Sequence, residues 1–124
     1  MSSGNIKLTI AFIDPDLDLD EREEQTQRFI AELKELDEIN TVDRVPDPNP
    51  PEGNKAIASF LMGILTTEVN PANAAKLLGF LGDRLGNKPI ELSVEGNGKK
   101  LSVKASSREE LTAAIQADKE FIDG

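Results

Sequence analysis

Ile90-Glu91-Leu92-Ser93-Val94-Glu95-Gly96-Asn97-Gly98-Lys99-Lys100-Leu101-Ser102-Val103-Lys104-Ala105 alternates apolar and polar residues on either side of a Gly-Asn-Gly centre. Period-two alternation lines Ile90, Leu92 and Val94, then Leu101, Val103 and Ala105, along one face. Asn-Gly supplies the backbone that a tight antiparallel turn requires. On the polar face such a hairpin sets Glu91 and Glu95 near Lys100 and Lys104, where opposite charges support the pairing. The Gly-Lys-Lys run resembles a phosphate loop only superficially, because it lacks the glycine spacing and leads into a strand.

Working toward the N-terminus, Asn70-Pro71 reads as an N-cap with proline at the first helical position. The helix that follows runs to about Leu85, with Ala74, Leu77, Leu78, Leu81 and Leu85 as its buried stripe and Gly86-Asn87 as its stop. Gly82 and Gly86 match a G-x-x-x-G spacing, but Asp83 and Arg84 between them exclude a membrane helix. Residues 55–66 read as an apolar helix, with Ala56, Phe60, Ile64 and Ile57, Leu61, Leu65 in adjacent rows. Being apolar nearly all round, it belongs in the core or at an interface with a partner, where Phe60 and Ile64 are the contact candidates. Before it, four prolines within residues 46–51 make a loop extending over residues 46–54.

The first half opens on another strand: Ile6, Leu8, Ile10 and Phe12 alternate with Lys7, Thr9 and Ala11, and Asp14-Pro15-Asp16 ends it. A helix over residues 20–36 follows, with Thr26, Phe29, Ile30, Leu33 and Leu36 on one stripe. Asp18 or Asp20 caps it, with Glu21 or Glu23 three residues on. Residues 40–45 read as a short strand on the strength of Val42 and Val45. At the other end of the chain, Ser106 or Ser107 with Glu109 or Glu110 forms a capping box for a last helix phased by Leu111, Ala114, Ile115, Asp118 and Ile122. The resulting order is β-α-β-α-α-β-β-α. It predicts one α+β domain over residues 1–124, a two-layer sandwich with a mostly antiparallel sheet of three to four strands, preceded by a flexible stretch at residues 1–5.

Composition narrows function. The 124 residues contain no Cys and no His. Thiol nucleophiles, thiolate metal sites and the side chain best suited to proton transfer near neutrality are therefore missing, which argues against enzyme activity. No cofactor is implied. The start of the chain lacks a signal-peptide pattern and no apolar run approaches a membrane span, so the expected location is cytoplasmic. The net charge is −9. Residues 14–38 hold eleven of the 23 acids and three of the 14 bases, so one segment carries nearly all the excess. A partner with a basic patch is favoured and nucleic acid is not. Asp14, Asp16, Asp18 and Asp20 are weak metal candidates. Their spacing suggests an EF-hand loop, but Leu19 stands where that loop needs Gly and Gln25 where it needs Glu. A turn and helix cap account for them, and a divalent-cation or small-ligand regulatory domain is the alternative reading.

The layout also resembles the effector-associated constant component family of bacterial conflict systems. The similarity runs from Ile6-Lys7-Leu8-Thr9 into Asp14-Pro15-Asp16-Leu17-Asp18, then through the Leu-rich residues 29–36 and the loop ending Pro51-Glu52-Gly53. It continues over residues 56–85 as a helical pair and over residues 90–103 as a hairpin. The resemblance implies a non-enzymatic adaptor or regulator that accompanies effector or signalling proteins, and it carries no catalytic residues. An adaptor of this composition would use its acidic helix for steering, through Glu32, Glu35 and Glu38. The strand at residues 40–45, if at an edge, offers a route to a homodimer by strand addition. Charge reversal of those three glutamates is expected to slow capture of a basic partner and flatten the salt dependence of the association rate, measured by stopped flow.

Overall fold

A computed structural model describes residues 5–36, 39, 41–46, 60–96 and 98–123, with side chains except at 60, 75, 118, 119 and 121–123. Among these residues the elements are β1 (Ile6–Phe12), α1 (Leu19–Leu33), β2 (Thr41–Pro46), β3 (Phe60–Val69), α2 (Pro71–Leu85), β4 (Ile90–Gly96), β5 (Lys99–Ala105) and α3 (Arg108–Asp123). The class is α+β, as the alternation and helix stripes predict. The sheet has five strands in the order β2-β3-β1-β4-β5, every neighbouring pair antiparallel. The first six elements follow the split βαβ plan, β-α-β-β-α-β with β1 between β3 and β4, and β5 and α3 extend it.

The fifth strand comes from a correction. Residues 60–66 are not helical but form most of β3; residues 55–59 of that expected helix lie outside the described residues. A continuous apolar run has no period that separates a buried strand from a buried helix. Placement decides the matter here. β3 lies between β1 and β2, with Leu65 and Thr67 buried on one face and Thr66 on the other. The β-branched Ile64, Thr66, Thr67 and Val69 suit a pleated surface. Gly63, at φ +79°, has a backbone that no helix accommodates.

Local signals elsewhere resolve to single choices. Asp18 is the N-cap of α1: it accepts the Glu21 amide at 2.8 Å, and the Glu21 carboxylate accepts the Asp18 amide at 3.0 Å. Asn70 caps α2 by accepting the Asn73 amide. Ser107 accepts the amide of Glu110, whose carboxylate reaches past it to the Ser106 amide. In the hairpin, Glu95 stands opposite Lys100 and Glu91 opposite Lys104. Asn97, at the turn, lies outside the described residues.

One core fills the space between the sheet and the helices. β1 supplies Ile6, Leu8, Ile10 and Phe12, β4 supplies Ile90, Leu92 and Val94, and α2 supplies all five residues of its expected stripe. Phe29 and Leu33 of α1 and Leu111 and Ile115 of α3 join the same cluster. The helices thus lie together on one face of the sheet, and the fold has two layers. Leu8 is fully buried at the centre of the middle strand. Leu8→Ala is expected to destabilise the protein by about 3 kcal/mol, read from the midpoint of urea unfolding with an unchanged slope.

Candidate functional site

The face of the sheet turned away from the helices is uncovered among the described residues. Its composition follows from strand alternation: where Ile6, Leu8 and Ile10 face the core, Lys7, Thr9 and Ala11 face outward. Ladder register then fixes their neighbours. Thr41, Glu68, Lys7, Glu95 and Lys100 form one row across all five strands. Asp43, Thr66, Thr9, Ser93 and Ser102 form the next. Ile64, Ala11, Glu91 and Lys104 form a third. The first row alternates acid and base from β3 to β5, and the second is nearly all hydroxyl, closed by a 2.8 Å hydrogen bond between the Ser93 and Ser102 hydroxyls.

At the β2 end the face dips into a hollow of about 340 Å³, lined by Lys7, Asp43, Arg44, Val45, Pro46, Thr66 and Glu68. The charge available to a visitor there depends on Arg44, which is engaged from below. Its guanidinium forms a two-pronged ion pair with Glu23 of α1, at 2.8 Å and 2.5 Å. It also donates to the carbonyls of Ile64, at 3.1 Å, and Leu61, at 3.3 Å. With Arg44 neutralised by Glu23, Asp43 and Glu68 outnumber Lys7.

Glu23 is the only charged residue among those buried in the described structure. Its carboxylate also accepts the Gly63 amide at 2.8 Å and the Gln27 side-chain amide at 3.1 Å. Burial alone would raise its pKa. The hydrogen bonds from Arg44, Gly63 and Gln27, with the Arg44 charge, outweigh burial and hold it below its ordinary value of 4.5. The arrangement is structural. The β2–β3 register slips between Arg44 and Pro46, and the Glu23–Arg44 pair satisfies the Gly63 amide and the Leu61 and Ile64 carbonyls at that irregularity.

The residues singled out from the sequence fall in several places. Asp14 accepts the Asp16 amide in a turn and Asp18 caps α1, while Asp16 and Asp20 are exposed. Among the described residues no three Asp, Glu, His or Cys side chains are grouped to hold a metal ion. Glu35 is exposed just past α1, whereas Glu32 lies 3.6 Å from Arg84 of α2. Glu38 and the Phe60 side chain lie outside the described residues. Ile64 is half-buried on the uncovered face beside Ala11, so its candidacy stands on a strand rather than on a helix. β2 is an edge strand, as strand addition needs. Arg44 was invisible to sequence reading, because its partner is 21 residues away on another element. Gly63 within an apolar run was the one available signal of an irregular strand.

No family model, no curated protein and no solved structure matches the chain. No helix among the described residues is long and apolar enough to cross a membrane.

Replacing Glu23 by Gln leaves the partly buried Arg44 without its counter-charge, and about 3 kcal/mol of stability is expected to be lost. Because the folded-state pKa of Glu23 is depressed, its contribution is present above the unfolded-state value and disappears as pH falls through the folded-state one. Urea midpoints measured from pH 7 down to pH 3 should therefore fall less steeply below roughly pH 4.5 in Glu23→Gln than in the wild type.

Proposed function

We propose that this chain is a cytoplasmic, non-catalytic protein-binding adaptor, and that its partner docks on the uncovered face of the sheet. The observation that carries the reading is that face itself. It is crossed by rows of alternating charge and hydroxyls and carries a hollow in which acids outnumber free bases. A broad surface of this kind suits a macromolecule better than a small substrate, and alternating charges in fixed register discriminate among partners by penalising mispaired ones. The hollow beside Asp43 and Glu68 suits a Lys or Arg of the partner, in keeping with the acidic balance of the chain. Ile64 and Ala11 contribute the apolar element of the contact. The resemblance to effector-associated components gives the partner's class: an effector or signalling protein of a bacterial conflict system.

The absence of catalysis rests on how the interior acid is used. Glu23 is tied to Arg44, Gly63 and Gln27 and does not line the hollow on the sheet face. Affinity capture from the native cell identifies partners, which can then be titrated against the wild-type chain and against Thr9→Arg/Ser93→Arg. Those two positions face each other at the centre of the uncovered face. Binding should weaken at least about tenfold in the double variant with little change in melting temperature. Equal affinity of the two proteins would remove the face from the reading.

A further inference from the structure

A second hollow, of about 210 Å³, opens in the other layer, between α1 and the C-terminal end of α2. Its wall is apolar: Phe12, Phe29 and Leu85 line it, all nearly fully buried. Phe29 belongs to an aromatic cluster, edge-on to Phe12 with ring centroids 6.2 Å apart and stacked on Phe80 at 5.9 Å. Three cations, Arg28, Arg84 and Lys88, share the lining with one acid, Glu32. That excess of positive charge lies within a chain of net charge −9 and beside the acidic α1.

The cations are loosely held. Arg84 lies over the Phe80 ring at 5.3 Å, and its contact with Glu32 is a long one between two half-exposed side chains. Among the described residues the side chains of Arg28 and Lys88 have no hydrogen-bond or ion-pair partner. Gln25, also in the lining, has a buried side-chain oxygen with no hydrogen-bond partner. Turning its amide over directs two N–H donors to the same position. Attraction of cations to a helix C-terminus accounts for Arg84 and Lys88. It does not account for Arg28 on α1, for the aromatic wall or for the unmet Gln25 oxygen.

We propose that this hollow binds a small organic anion: one carboxylate or phosphate group held by Arg28, Arg84 and Lys88, on a flat apolar body lying against Phe12, Phe29 and Leu85. Guanidinium groups and an ammonium are the donors such oxyanions take, and the amide of Gln25 adds a neutral one. The size fits, since a dry cavity of about 150 Å³ accepts benzene and this one leaves room for an acidic substituent. The site uses none of the residues of the sheet face, so it stands or falls separately from the docking reading.

Calorimetric titration of the full chain with phenyl phosphate, benzoate, inorganic phosphate and benzyl alcohol tests the proposal. Phenyl phosphate or benzoate should bind saturably, with inorganic phosphate and benzyl alcohol each at least about tenfold weaker. Whichever of the two aromatic anions binds tighter identifies the acidic group. Arg28→Gln/Lys88→Gln should weaken binding at least about tenfold. Lys88→Gln alone, at an exposed position, should weaken it measurably even if the double variant is unstable. Amide resonances of Gln25, Arg28, Arg84 and Lys88 should move on titration. No saturable binding of either aromatic anion overturns the proposal, as does unchanged affinity in the variants. Inorganic phosphate binding as tightly as phenyl phosphate overturns it too, because the apolar wall would then contribute nothing.

Discussion

The carboxylate of Glu23 joins three parts of the chain that are distant in sequence. It sits on α1, accepts two hydrogen bonds from Arg44 on the edge strand β2, and accepts the Gly63 amide from β3. Where the two strands lose register, the buried Gly63 amide and the half-buried Leu61 and Ile64 carbonyls take their partners from this pair. A buried ion pair contributes little net stability when it only replaces apolar contacts. This one also completes the backbone hydrogen bonding of an irregular strand. It thereby fixes α1 over the β2–β3 end of the sheet and keeps the edge strand attached.

That anchoring shapes both surfaces. With α1 held on one layer together with α2 and α3, no described element covers the opposite face of the sheet. The same pair withdraws the Arg44 charge from the hollow on that face, so that Asp43 and Glu68 determine its sign. In the helical layer, the position of α1 brings Arg28 and Gln25 to the end of α2, where Arg84 and Lys88 complete a cationic rim over the Phe12–Phe29 wall. The hollow on the sheet face thus sets Asp43 and Glu68 against Lys7 and an Arg44 already paired with Glu23, and the hollow in the helical layer sets three bases against Glu32, although the two share the same scaffold.

The part of the uncovered face that β1, β4 and β5 contribute was legible in the sequence, and the part that β3 contributes was not. The alternation in β1, β4 and β5 already names Lys7, Thr9, Glu91, Ser93, Glu95, Lys100, Ser102 and Lys104 as the polar side. Only the strand order was needed to turn these into rows. The cationic hollow was not legible. Arg28, Arg84 and Lys88 look like ordinary surface charges on two helices, and nothing in the sequence indicates that those helices meet there. Glu32, read as part of a steering surface, is exposed and also lies 3.6 Å from Arg84, a neighbour that the sequence does not indicate.

The sequence by itself determined the elements whose signals are local. The β4–β5 hairpin, the Asn70 cap, the narrowing of the other two caps to Asp18 or Asp20 and to Ser106 or Ser107, and the stripe of α2 depend on contacts within a few residues, so they survive without knowledge of the rest of the chain. Only the tertiary structure decided that residues 60–69 are a strand. An apolar run is compatible with either periodicity until its neighbours are known, and here β1 offers one ladder and β2 the other. The pairing of Glu23 with Arg44 belongs to the same class. Nothing in the sequence links the two residues, and the interaction exists because the fold brings them together where the Gly63 amide and the Leu61 and Ile64 carbonyls need partners.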